Sequence, residues 1–115
     1  MTADNREATR ALKIKTGVLT RVRRELAMYS DEVAKETAKL ETMKAEGRDP
    51  HDVRQQDQVL GESSMMIGDC KTRMENAFNE LLAATEEHGE ECADSEELAV
   101  AKALLDEVEP TLEGA

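Results

Sequence analysis

The chain has 115 residues, 39% hydrophobic and 36% charged, with a net charge of −11, no Trp, one Tyr and one Phe. That length sets a single domain over residues 1–115, and so little aromatic volume excludes the usual core of a compact globule of this size. No apolar run approaches the roughly 20 residues that span a bilayer, no signal-peptide core follows Met1, and two distant cysteines with scarce histidine fit a reduced, cytoplasmic protein.

Residues 1–7 and 111–115 read as loose ends. The first helix is expected from about Arg6 or Ala8 to Ala45. Leu12, Leu19, Leu26, Val33 and Leu40 recur every seven residues, which places them on one stripe of a helix. The second seam position reads Lys15, Val22, Tyr29, Glu36 and Met43. Lys15 and Glu36 do not suit a core, so their heads should reach for solvent or for a partner across the seam. Gly17 costs about 1 kcal/mol relative to Ala inside a helix. Its presence signals close packing there, or tolerance in a well-supported helix. High charge with few aromatics also marks disordered chains, but the sustained repeat argues against disorder for residues 8–88.

Glu46-Gly47-Arg48-Asp49-Pro50 is a stop-and-start signal. Gly47 suits a left-handed C-terminal position, Asp49 an N-cap, and Pro50 a first turn. The second helix follows from Pro50 to about Glu87, with Val53, Leu60, Ile67, Met74 and Leu81 spaced by seven. Its other seam position, Gln56, Ser63, Cys70, Ala77 and Ala84, is small or polar and admits a close neighbour. Gly61 and Gly68 predict a bend near Met66–Asp69. Met65 and Met66 suit flexible core filler more than a binding surface, and the sequence leaves their orientation open. His88-Gly89 ends the helix. A third helix begins between Glu90 and Ser95, with Asp94-x-x-Glu97 at capping-box spacing. It carries an apolar face of Leu98, Ala101, Leu104, Leu105 and Val108, and Pro110 ends it. Short connections imply antiparallel neighbours. The fold class is all-α: an elongated, coiled-coil-like, antiparallel three-helix bundle with two long helices and a shorter C-terminal one.

Charge is unevenly spread. Residues 1–24 hold seven Lys or Arg against Asp4 and Glu7, whereas residues 86–115 hold eleven Asp or Glu against Lys102. The basic end suits an acidic partner, and the acidic end repels nucleic acid and anionic membranes. Most of these charges simply solvate the surface. No Glu-x-x-His pair, phosphate loop or nucleophile elbow occurs. His51 and His88 sit at helix ends as surface residues. Cys70 falls on the seam as a buried thiol, and the carboxylates flanking Cys92 disfavour its thiolate. No enzyme, cofactor or metal site is expected.

Leu12-Lys13-Ile14-Lys15-Thr16-Gly17-Val18-Leu19 resembles the start of the tubulin-binding cofactor A family, with its Ile-Lys-Thr-Gly-Val core. Tyr29 and Met43-Lys44-Ala45-Glu46 fit the family's first helix. Glu62-Ser63-Ser64-Met65-Met66-Ile67-Gly68-Asp69-Cys70 resembles its Glu-Ser-x-Met-Met-Ile-Pro-Asp-Cys element, with Gly68 in place of proline. Ala103-Leu104-Leu105-Asp106-Glu107-Val108 resembles its final helix. Residues 88–95 match poorly.

The resemblance implies a cytoplasmic, cytoskeleton-associated chaperone without nucleotide or chemistry. It would capture β-tubulin after release from the chaperonin and hold it before αβ-heterodimer assembly, meeting later folding cofactors only indirectly. It also implies an acidic client, which makes Arg21, Arg23 and Arg24 candidate contacts, with Lys13 and Lys15 as weaker ones. A homodimer is compatible with the fold. Two rivals remain at this stage. One is a structural coiled-coil adaptor that homodimerises through its heptad seam. The other is an enzyme or metal protein on a helical scaffold, which the missing ligands disfavour.

Overall fold

The computed structural model describes the backbone of residues 3–113 and the side chains of residues 5–112. The described residues form three helices: α1 (Ala3–Ala45), α2 (Pro50–His88) and α3 (Glu96–Glu113). No strand occurs among the described residues. The chain forms two compact units, one from Met1–Arg23 with Thr72–Ala115 and one from Arg24–Lys71.

The 24–71 unit is an antiparallel hairpin made by its turn. Gly47 sits at φ +69°, the left-handed region that a side chain disfavours. Arg48 N–H donates to Met43 O at 3.0 Å and Gly47 N–H to Lys44 O at 3.1 Å, which satisfies two carbonyls orphaned at the end of α1. Asp49 Oδ1 then accepts the His51 N–H at 2.7 Å, and Pro50 occupies the first helical position without wasting a donor. The turn sets the register. Gln56 Nε2 donates to the Glu36 carbonyl at 3.2 Å, so the buried Gln56 is satisfied although it lies on the seam.

The seam of this unit is narrow. Leu40, Met43 and Cys70 are its buried apolar side chains, while Leu26, Tyr29, Val33, Val53, Leu60 and Ile67 are half-buried. Glu36 Oε2 reaches neither solvent nor a partner across the seam. The residue is half-buried, and this oxygen is enclosed without a hydrogen-bond partner. Met65 is 75% exposed and Met66 36%, so neither fills the core. They follow Ser63 along the helix and fall beyond the stripe that faces α1. α2 continues as one helix through Gly61 and Gly68.

The other unit has three segments and a wider core. Leu12, Leu19, Leu81, Ala101 and Val108 are fully enclosed, each large one stabilising the fold by about 1.5–3 kcal/mol. Ala8, Leu12, Ala84, Cys92 and Leu98 form one buried cluster. The small Ala84 at the expected seam position thus leaves room for Leu12, and Leu98 closes the cluster from α3. Gly89 is required by space. A Cβ there would stand 2.7 Å from the Thr85 carbonyl oxygen.

Three boundaries differ from the sequence reading. α1 already runs from Ala3; residues 1 and 2 lie outside the described ones, as do 114 and 115. α3 is capped by Ser95 rather than Asp94: Ser95 Oγ accepts the Leu98 N–H at 3.1 Å and donates to the Cys92 carbonyl at 2.8 Å. This choice places Glu96 and Glu97 in the first turn, where carboxylates favour the helix dipole, and turns Leu98 into the core. Pro110 lies inside α3 and does not end it. Leu105 and Val108 are buried and Leu112 half-buried on one stripe, so packing carries the helix across a residue that intrinsic propensity would exclude.

Candidate functional site

Between Glu7 and Glu25, α1 contains no acidic residue but holds Arg10, Lys13, Lys15, Arg21, Arg23 and Arg24. An α-helix of about 3.6 residues per turn distributes these around its circumference. Arg10, Lys13 and Arg21 lie seven, four and four residues from Gly17 and share its outward stripe. All three are exposed, as is Gly17. Ile14 adds a large apolar side chain, 54% exposed, at the edge of the same stripe. Arg10 and Arg21 have no ion-pair partner among the described residues. Lys13 lines a shallow recess with Thr16, Glu96, Glu97 and Val100, so part of its field is spent on the start of α3.

The five cations singled out by sequence therefore do not act alike. Lys13 and Arg21 share the outward stripe. Lys15 turns toward the seam and is half-buried. Arg23 reaches α3, its Nη1 2.8 Å from Glu107 Oε2 with side chains 43% and 62% exposed. Arg24, also exposed, is the first residue of the 24–71 unit. Reading by charge alone missed Arg10 as a member of the stripe and Gly17 as its centre. The signal was present in their spacing.

Gly17 itself answers one question the sequence left open. A Cβ at this position would meet nothing within 4 Å. Close packing inside the chain is therefore not the reason for a glycine there.

The two thiols are enclosed. Cys70 is fully buried. Cys92 is 2% exposed, and burial pushes its thiol pKa above 9.0; Glu91 and Glu97 add to the shift, while the hydrogen bond with Ser95 opposes it. Sequence reasoning credited the carboxylates alone. His51 is exposed at the start of α2. His88 has Nδ1 3.7 Å from Glu91 and Nε2 3.8 Å from Glu87. Among the described residues no three His, Cys, Asp or Glu side chains gather in a metal-binding group, and no helix is long and apolar enough to cross a membrane.

The class defined by these features is an all-α helical bundle whose distinguishing groups lie on a solvent-facing helix surface. Comparison with known proteins narrows it. The family model described as tubulin binding cofactor A matches residues 7–105. The tubulin-folding cofactor A of Arabidopsis thaliana is 46% identical over 103 residues, covering 87% of this chain and 89% of the relative. The crystal structure of tubulin folding cofactor A from Arabidopsis thaliana superposes with a TM-score of 0.82 at 41% identity, covering 90% of this chain and 97% of that one. The human tubulin chaperone cofactor A gives 0.77 at 37% identity, covering 89% and 98%. The chain belongs to the tubulin binding cofactor A family.

Proposed function

We propose that this protein is a cytoplasmic tubulin-folding chaperone that captures β-tubulin after its release from the chaperonin and holds it until the αβ heterodimer is assembled. The observation that carries this reading is the family match across residues 7–105. The mechanism is selective binding without chemistry. A protein that binds the folded, unpaired client lowers its free concentration and so its aggregation, by mass action.

An acidic client favours the cationic surface of α1. Arg21 and Arg24 are the leading contacts, because both are exposed, with Lys13 in support. Lys15 and Arg23 contribute less. The first is half-buried, and the second is already held by Glu107 at 2.8 Å. The rival reading, an adaptor that dimerises through its heptads, finds little support. Leu12, Leu19, Leu40, Met74 and Leu81 are buried within the single chain and unavailable to a second copy, while Leu26, Val33, Val53, Leu60 and Ile67 are half-buried.

A pull-down with newly folded β-tubulin, run beside α-tubulin and with sizing of the free protein, tests the proposal. Retention of β over α is expected. Replacing Arg21 and Arg24 by Glu should weaken retention and flatten its salt dependence. Equal recovery of both tubulins by the unaltered protein would refute the reading, and unchanged retention by the Glu variant would refute the assigned contacts.

A further inference from the structure

Glycine in the middle of a helix lowers its stability, and such a position is normally explained by a neighbour that leaves no room for a side chain. Gly17 has no such neighbour: it is exposed, with no atom within 4 Å of a would-be Cβ. It nevertheless stands at the centre of the acid-free stretch of α1, on one stripe with Arg10, Lys13 and Arg21 and beside the 54% exposed Ile14. Gly89 shows the contrast, since its Cβ would strike the Thr85 carbonyl at 2.7 Å. Gly61 and Gly68 of α2 are as open as Gly17, so what singles out Gly17 is the cationic, acid-free stripe around it.

We infer that Gly17 is the contact point for an acidic, amphipathic α-helix of the bound client, which crosses α1 there and is gripped by Arg10 and Arg21 on either side. The inference rests on the proposed capture of β-tubulin and names the kind of segment that is captured. Without a side chain at 17, a second helix can approach at the short end of the usual 8–10 Å range of interaxial distances. Arg10 and Arg21 are eleven residues apart, about 16 Å along the axis. That span suits carboxylates on two separate turns of one crossing helix. Ile14 supplies the apolar contact at the crossing, and the cations around it supply register and speed of encounter. A basic helix is excluded by repulsion. A purely apolar one would leave Arg10 and Arg21 desolvated without partners.

The test separates stability from capture. Gly17→Gln replaces a poor helix former by a good one in open space, so its melting temperature should rise. Its retention of newly folded β-tubulin should fall by about tenfold or more, as for truncation or blocking of a central contact. Arg10→Gln combined with Arg21→Gln should lower retention and flatten its salt dependence. Hydrogen-exchange mapping of bound β-tubulin should show protection on a helix rich in Asp and Glu. If Gly17→Gln retains β-tubulin as the unaltered protein does, or if protection falls on a basic or non-helical segment, this inference is overturned while the capture function stands. If the unaltered protein retains no β-tubulin, both fall.

Discussion

Glu36 occupies a seam position of α1, where its Oε2 is enclosed and accepts no hydrogen bond. An unpaired buried polar atom costs roughly 1–3 kcal/mol of desolvation, and the site lies on the stripe that elsewhere takes Leu, Val, Tyr, Met and, once, Lys15. Replacing Glu36 by Leu removes the orphaned oxygen and adds apolar surface to a hairpin with few fully buried side chains. The expected gain is about 2 kcal/mol, a large fraction of the 5–15 kcal/mol typical of a folded domain. With a urea m-value of about 2 kcal/mol per molar, the unfolding midpoint should move up by roughly 1 M. Glu36→Gln keeps the length and removes the charge, so it should fall between the two. The Gln56 hydrogen bond goes to the backbone carbonyl of residue 36 and survives both changes. Midpoints from circular dichroism, at constant m, give the answer. A lower midpoint for Glu36→Leu would show that the carboxylate is stabilised in place, and the reasoning from the orphaned oxygen would fail.

Other outcomes follow from the caps, the glycines and Cys92. Gly47→Ala places a side chain at φ +69° and should cost about 1–2 kcal/mol in urea unfolding, while Asp49→Ala should lose about 1 kcal/mol through the α2 cap. Gly89→Ala forces a Cβ against the Thr85 carbonyl and should cost about 1–3 kcal/mol as overpacking; a neutral result would mean that the 89–95 connection yields freely. Pro110→Ala should raise the melting temperature, by up to about 3 kcal/mol in stability, because Pro110 is exposed inside α3. Burial raises the Cys92 thiol pKa above its ordinary value of 9.0 in the folded state. The folded protein then holds its proton to higher pH than the unfolded one, so this contribution is complete below the unfolded pKa and fades as pH rises through the folded value. The urea midpoint should therefore drop more steeply above pH 9.0 in the unaltered protein than in Cys92→Ala. Parallel profiles would contradict this.

Periodicity and turn chemistry carried most of the fold. Leu12, Leu19 and Leu81 are buried because a sevenfold spacing leaves them one place to go, and Gly47 with Asp49 states the turn in residues whose backbone needs are unambiguous. What stayed hidden depended on choices between near equals. Asp94 and Ser95 both cap well, and only the direction in which Leu98 must point decides for Ser95. Pro110 breaks helices by local rules, and Leu105, Val108 and Leu112 override it through contacts distant in sequence. The orientation of Met65 and Met66 was open in the sequence because methionine suits cores and surfaces equally, whereas the seam register places them outside. The cations of α1 were legible as a charge excess. Their division into an outward stripe, a seam lysine and an arginine held by Glu107 needed the neighbours.

The thin seam of residues 24–71 has a consequence for how the molecule opens. With Leu40, Met43 and Cys70 as its enclosed apolar side chains, this hairpin has far less to lose on unfolding than the three-segment core containing Leu12, Leu81 and Val108. Its amides should exchange through openings that leave the rest of the protein folded. Proteases should therefore find their first cut here, near the tip around Arg48, and the lifetime of the intact chain in a cell would be set by the hairpin's local opening equilibrium rather than by global unfolding.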